Sequence, residues 1–209
     1  MGKNYLGNTN LKGKGQKFNW TKKRLKEYMK CAEDPIYFAE EYIKIVHVDH
    51  GLIPIKMYEY QKEITKLITD NRRVAVVTSR QAGKTTVAAA VILHYVLFND
   101  HKLIALLANK GDSAREILDR IKIAYEALPK WLQQGVVEWN KGSVEFENGS
   151  KIVAAATSSS AIRGKSVSFL YIDEAAFVEN WEEFSSAVLP TISSGKTTKT
   201  LYTSTPNGL

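Results

Sequence analysis

Cysteine is nearly absent: Cys31 stands alone in 209 residues, which excludes a disulfide framework and a Cys-rich zinc site. No apolar run is long enough for a membrane. The longest, Val87 to Phe98, is broken by His94 and Tyr95 and falls short of a bilayer span. The start Met1-Gly2-Lys3-Asn4 has no apolar stretch of the signal-peptide kind. Internal repeats are missing too. These absences lead to the expectation of a soluble protein of a reducing compartment. What is present is ordinary globular material, 44% hydrophobic and 24% charged, enough for one large α/β domain or two small ones.

Acidic residues are scarce at one end. Residues 1–30 hold nine of the 29 basic side chains and one acid, Glu27, whereas the rest carries 20 basic and 21 acidic groups. The basic stretch reads either as an arm that approaches nucleic acid or an acidic partner, or as a solvated tail. Glycines at 2, 7, 13 and 15 make it core-poor, so residues 1–18 are expected to be disordered.

Beyond that arm the pattern alternates. Thr21 is a reasonable N-cap for a helix to Cys31, and Asp34-Pro35 opens a second helix expected to run through Ile45. Residues 46–49 and 52–55 flank His50-Gly51 as a short hairpin, and Tyr60, Ile64, Leu67 and Ile68 give a helix over 58–70. Short apolar strands, expected to be buried, follow at 74–77, 103–107 and 169–172, with a last strand at 198–203 and helices at 84–97, from Ser113 to Leu128, and at 181–189. Ser113 to Glu116 has capping-box spacing. Strands at 136–139, 144–146 and 152–155, joined at Lys141-Gly142 and Asn148-Gly149, form an antiparallel excursion. Apolar strands alternating with helices imply a mostly parallel sheet flanked by helices on both faces.

Gly-Lys-Ser/Thr, the core of a phosphate-binding loop, occurs at Gly83, Gly164 and Gly195. Such a loop needs a strand before it and a helix after it, so that its N–H groups and the helix dipole converge on the phosphates. Gly164 and Gly195 are followed by strands; only Gly83 opens a helix. The loop reads Thr78-Ser79-Arg80-Gln81-Ala82-Gly83-Lys84-Thr85-Thr86, with Thr78 where the usual pattern has glycine. In the bound state Lys84 would neutralise the β/γ-phosphates of ATP and Thr85 would ligate Mg²⁺. The buried strand Phe169 to Ile172 ends in Asp173 and Glu174. Asp173 would hold Mg²⁺, directly or through water, and Glu174 would orient and deprotonate the attacking water. The competing reading is a strand merely capped by surface acids. The fold class expected is an α/β P-loop NTPase of the ASCE or RecA-like kind.

The loop S-R-Q-A-G-K-T-T, the strand Y-I-D-E and the segment T-S-T-P-N-G resemble the ATPase domain of the large terminase subunit of tailed bacteriophages, the myovirus-like branch above all. The likeness extends through D-P-I-Y-F-A-E-E-Y, M-Y-E-Y-Q-K and V-E-W-N-K-G-S-V-E-F-E-N-G-S, roughly residues 34–209, and the missing loop glycine is itself similar to that family. The resemblance implies an ATP-driven motor that pumps double-stranded DNA into a procapsid through the portal protein. It also implies a small terminase subunit as partner, a homo-oligomeric ring, no membrane, and a place in the host cell cytoplasm. The chain is expected to divide into a disordered basic arm (1–18), a helical and hairpin extension (19–57) and the P-loop ATPase core (58–209). By the same resemblance Arg80 acts in cis on the γ-phosphate and Arg163 reaches a neighbouring subunit's ATP. Gln61, with Tyr60 beside it, reads adenine; Thr203, Ser204 and Thr205 couple hydrolysis to movement. Physics alone leaves either arginine able to stabilise phosphoryl charge. Family members carry a second, nuclease domain, and the chain stops at Leu209, so no nuclease activity is expected of it. The alternative function is a helicase-like nucleic-acid-dependent ATPase.

Overall fold

The structure is a computed structural model that describes residues 4–157, 162, 164–179, 181–193 and 195–207. Thr21 caps helix α1 (Lys22–Glu33) by accepting from the Arg24 N–H at 3.2 Å. Asp34 does the same for α2 (Pro35–Tyr42), accepting from Ile36 and Tyr37 N–H, with Pro35 in the first turn where no donor is needed. The second helix therefore ends at Tyr42, not Ile45. The β-branched residues beyond it enter a hairpin, β1 (Lys44–His47) against β2 (Gly51–Pro54). Next come α3 (Glu59–Asp70), β3 (Arg73–Val77), α4 (Lys84–Phe98), β4 (Leu103–Ala108) and α5 (Gly111–Glu126). Helix α5 starts two residues ahead of Ser113, with Lys110 at its N-cap and no side-chain cap bond, so the expected capping box is not used. Strands β5 (Val136–Trp139), β6 (Ser143–Phe146), β7 (Lys151–Ala156) and β8 (Phe169–Ile172) follow. Helix α6 (Trp181–Ser193) runs past the expected end at 189, through Pro190, and β9 (Lys199–Ser204) closes the series.

Seven strands form one sheet in the order β3-β9-β8-β4-β7-β6-β5. The first five are parallel and β6 and β5 antiparallel, as the alternation and the turn signals implied. Successive side chains of a strand face opposite sides. Accordingly Ile104, Leu106, Phe169 and Tyr171 join a large apolar cluster with α4 and α5. Ala105, Leu107, Leu170 and Ile172 join a second cluster with Phe184, Val188 and Ile192 of α6. Helix α4 is apolar on every side because the sheet, α2, α3 and α5 surround it.

Two expectations need correction. Residues 4–18 are not disordered: Leu11 is buried, and Gly13 bridges Val136. The Val136 N–H donates to the Lys12 carbonyl at 2.7 Å, and Gln133 binds both Lys12 N–H and the Asn10 carbonyl. Glu147 accepts from the Gly15 N–H and pairs with Lys12 at 3.1 Å. Partners supplied by distant polar side chains order a segment whose own composition cannot build a core. Strand β3 is likewise not fully buried; it is the sheet's edge, with Val76 inward and Arg73, Ala75 and Val77 exposed.

Candidate active site

Parallel pairing brings the carboxyl ends of β3, β9, β8 and β4 to one edge of the sheet, where an open α/β sheet places its ligand. The chain leaves β3 with Thr78 still tied to β9 through the Ser204 carbonyl, at 3.2 Å, and then winds into α4. Gln81 and Gly83 both take the left-handed conformation, at φ 62° and 76°. Gly83 has a second reason to be glycine: a Cβ there would lie 2.6 Å from Gln61 Nε2.

Gln61 and Tyr60 fix this loop from α3. The Gln61 amide and the Tyr60 hydroxyl both donate to the Ala82 carbonyl, at 3.1 and 2.9 Å, while Gln61 Oε1 accepts from the Tyr58 N–H at 3.0 Å. Gln61 is buried and both ends of its amide are engaged with the protein. Its evident work is to hold the loop. Tyr60, half exposed, stacks on Tyr58 at 5.7 Å.

Lys84, the first residue of α4, is only 7% exposed, and its Nζ lies 3.1 Å from Glu174 Oε1. Glu174 sits just past β8 in the left-handed region, φ 50° and ψ 48°, and opens a short 3-10 turn, Ala175–Phe177. Its other oxygen accepts from the Thr205 N–H at 2.9 Å, the Thr205 hydroxyl at 3.0 Å and the Ser204 hydroxyl at 3.4 Å. Burial pushes the Glu174 carboxyl up, but the Thr205 and Lys84 donors together outweigh it and hold the group below the usual carboxylate range.

Asp173 extends the β8 pairing, its N–H donating to the Leu107 carbonyl at 2.9 Å. Its Oδ1 accepts from Thr203 at 2.6 Å and from the Tyr171 hydroxyl at 3.0 Å. Tyr171 is fully buried; desolvation, and then the Asp173 charge, raise its phenol well above the ordinary value, so it stays a donor. The three hydroxyls of 203–205 thus divide between the two acids, Thr203 to Asp173 and the other two to Glu174.

Beside the two acids opens a cleft of about 400 Å³ lined by Arg80, Asn109, Lys110, Ser113, Asp173 and Glu174. Arg80 is exposed on its wall; Ser79 and Gln81 are exposed on the same loop, and Thr86 lies one turn into α4. Arg163 and residues 158–161 before it lie outside the described residues. Reading the sequence missed three contributors. Asn109 and Lys110 follow β4, and the strand end itself was the available signal; Tyr171 looked like one more apolar strand residue. A second cavity, about 390 Å³ beneath β1 and between α4 and α5, meets the loop region only at Thr86. Among the described residues no three His, Cys, Asp or Glu gather as a metal cluster, and no helix is long and apolar enough to cross a membrane.

Set against known proteins, residues 76–209 match the family described as terminase large subunit, T4likevirus-type, N-terminal. Among solved structures the large terminase of the HK97 bacteriophage is similar at a TM-score of 0.70 and 17% identity, covering 83% of this chain and 37% of that one. The ATPase domain of a Thermus phage large terminase gives 0.61 and 24%, covering 74% and 66%. The large terminase of a thermophilic bacteriophage, solved in complex with ATP-gamma-S, gives 0.55 and 12%, covering 71% and 38%. Identities this low show a shared fold, the P-loop NTPase arrangement of sheet, loop and helices. The chain spans 37% of the length of the HK97 protein.

Proposed function

The chain belongs to the T4likevirus-type terminase large-subunit family, and on that footing we propose that it is an ATP-hydrolysing motor domain that drives double-stranded DNA into a procapsid. One observation carries the hydrolytic half: Lys84 Nζ and Glu174 Oε1 are 3.1 Å apart, with Asp173 next to Glu174 at the end of β8. A cation for phosphates, an acid for a metal and a base for water meet at one edge of the sheet, as attack of water on a γ-phosphate requires.

The triphosphate takes the Lys84 ammonium for its β- and γ-oxygens, aided by loop N–H groups and the N-terminus of α4. Glu174 then loses one of the donors that hold its carboxyl low, and becomes a stronger base toward water. The proton passes to Glu174 as the water oxygen bonds phosphorus and the bond to the β–γ bridging oxygen breaks, releasing ADP. Arg80 stabilises the charge spread over the γ-oxygens; Arg163, from a neighbouring subunit, is the other candidate. Asp173 and Thr85 suit Mg²⁺. Both hydroxyl donors fall on Asp173 Oδ1, and Oδ2 accepts no bond among the described residues. One carboxylate and one hydroxyl beside substrate phosphates make the hard-oxygen set that this ion prefers. Bound there, Mg²⁺ supplies charge neutralisation at the β/γ-phosphates.

The bonds from 203–205 to both acids support a coupling role, since any movement of Glu174 away from Lys84 is felt by β9. Tyr60 flanks the base edge of the nucleotide, and Gln61 reads adenine only by exchanging one of its present backbone bonds. The homo-oligomeric ring, the portal, the small terminase subunit and a site of action in the host cytoplasm belong to the same proposal.

Glu174→Gln tests it. The variant is expected to bind ATP with near-parental affinity and to lose hydrolysis by two or more orders of magnitude, roughly the scale of a general base. Hydrolysis at the parental rate would remove Glu174 from the mechanism.

A further inference from the structure

Helix α1 carries charge that the cleft does not use. Lys22, Lys26 and Lys30 recur every fourth residue, so they stand in one row that spans about 12 Å of helix. Lys23 flanks the row, and all four are exposed, as are Arg24, Lys14 and Lys17. None of the seven pairs with a carboxylate among the described residues. Arg24 donates to the Asn19 carbonyl, and Lys30 lies 3.4 Å above the Tyr37 ring.

Glu27 lies beside Lys23 and Lys30 and feels both charges, but it forms an ion pair with neither, and its hydrogen bonds go elsewhere. Glu27 Oε1 accepts from the Tyr37 hydroxyl at 2.6 Å and the Tyr42 hydroxyl at 2.8 Å, on the side of α1 that faces α2. Glu33, at the last turn, is the one exposed acid on the helix. The row is held rigidly. Trp20 packs edge-on against Tyr28 at 5.4 Å, and Tyr28 against Phe98 at 5.1 Å. Phe98 is the last residue of α4 and Lys84 the first, so about 20 Å of helix separates the row from the phosphate loop. These cations cannot serve the bound triphosphate.

We propose that the α1 row is a contact for the phosphate backbone of double-stranded DNA, a deepening that rests on the motor reading above. Basic side chains in line along a helix are the electrostatic footprint of nucleic-acid binding. Lysines are point charges that hold phosphates without reading bases. A motor that must pass any sequence needs contacts of that kind. A membrane surface is the poorer partner, because the apolar side of α1, with Tyr28 and Cys31, already packs on the protein, leaving Leu25 and Met29 half exposed beside the row.

The test is binding of the chain to a short fluorescent duplex of random sequence across a salt series. Lys22→Gln/Lys26→Gln/Lys30→Gln is expected to weaken binding to every sequence alike and to flatten the slope of log Kd against log salt by about 3. Its nucleotide affinity and melting temperature should match the parent's, and the triple Lys→Arg variant should keep the parental slope. An unchanged slope in the Gln variant, or parental binding to phosphatidylserine vesicles but not to duplex, would overturn the proposal. The two readings fail separately. If Glu174→Gln hydrolyses ATP normally while the Gln triple variant flattens the slope, the catalytic assignment falls and the DNA contact stands.

Discussion

Tyr171 donates from a fully buried position in β8 to Asp173 Oδ1 at 3.0 Å, and the same hydroxyl meets Thr203 Oγ1 at 3.0 Å. One phenol thus ties the acid proposed for the metal to the strand proposed for coupling. Tyr171→Phe keeps the ring and deletes both bonds, at a cost of roughly 1–2 kcal/mol in stability. Nucleotide affinity measured in EDTA should be unchanged, while the enhancement given by Mg²⁺ should shrink several-fold. A variant that lost affinity equally with and without Mg²⁺ would show Tyr171 to be core filler alone.

The Gly83 turn depends on two separable constraints. Alanine at 83 meets both the left-handed φ of 76° and the 2.6 Å approach of Gln61 Nε2. Gly83→Ala is expected to cost about 1–3 kcal/mol and to abolish nucleotide binding. In a Gln61→Ala background the contact disappears and the strain stays, so the same change should cost less. A double-mutant cycle in urea measures the difference; strict additivity would mean that Gln61 does not press on the loop.

Acid should release the N-terminal segment. Burial pushes the Glu147 carboxyl up, but the Gly15 and Gly135 N–H donors and Lys12 outweigh it and hold it below its usual value. A carboxyl lowered by folding stabilises fully above its unfolded pKa, near 4.3, and ceases to do so as pH falls through the lower folded value. Protection of the Gly15 and Val136 amides, taken relative to their intrinsic exchange rates at each pH, should therefore be high at neutral pH and fall below about pH 4. Glu147→Gln should show low protection at both, without that pH step.

The local half of this structure was legible in the sequence, because it rests on rules that act within a few residues. Thr21 and Asp34-Pro35 announced two helix starts, and the apolar runs at 103–107 and 169–172 announced buried parallel strands. Lys84, Asp173 and Glu174 were readable because a loop between strand and helix, and acids at a strand end, are chemically constrained patterns. What was hidden depends on distant partners. Residues 4–18 owe their order to Gln133 and Glu147, and β3 owes its exposure to its place at the sheet edge. Gln61 could not be seen as a clamp until α3 was laid beside Ala82, nor could the Tyr37 and Tyr42 hydroxyls be seen as the hydrogen-bond partners of Glu27.

The most direct measurement is a crystal structure of the chain with a slowly hydrolysed ATP analogue and Mg²⁺. The expected result has Lys84 Nζ released from Glu174 and bonded to β/γ-phosphate oxygens, with Asp173 and Thr85 facing the cation and Glu174 facing the γ-phosphorus. A nucleotide seated elsewhere, such as the cavity beneath β1, with the 3.1 Å Lys84–Glu174 pair intact, would contradict the account.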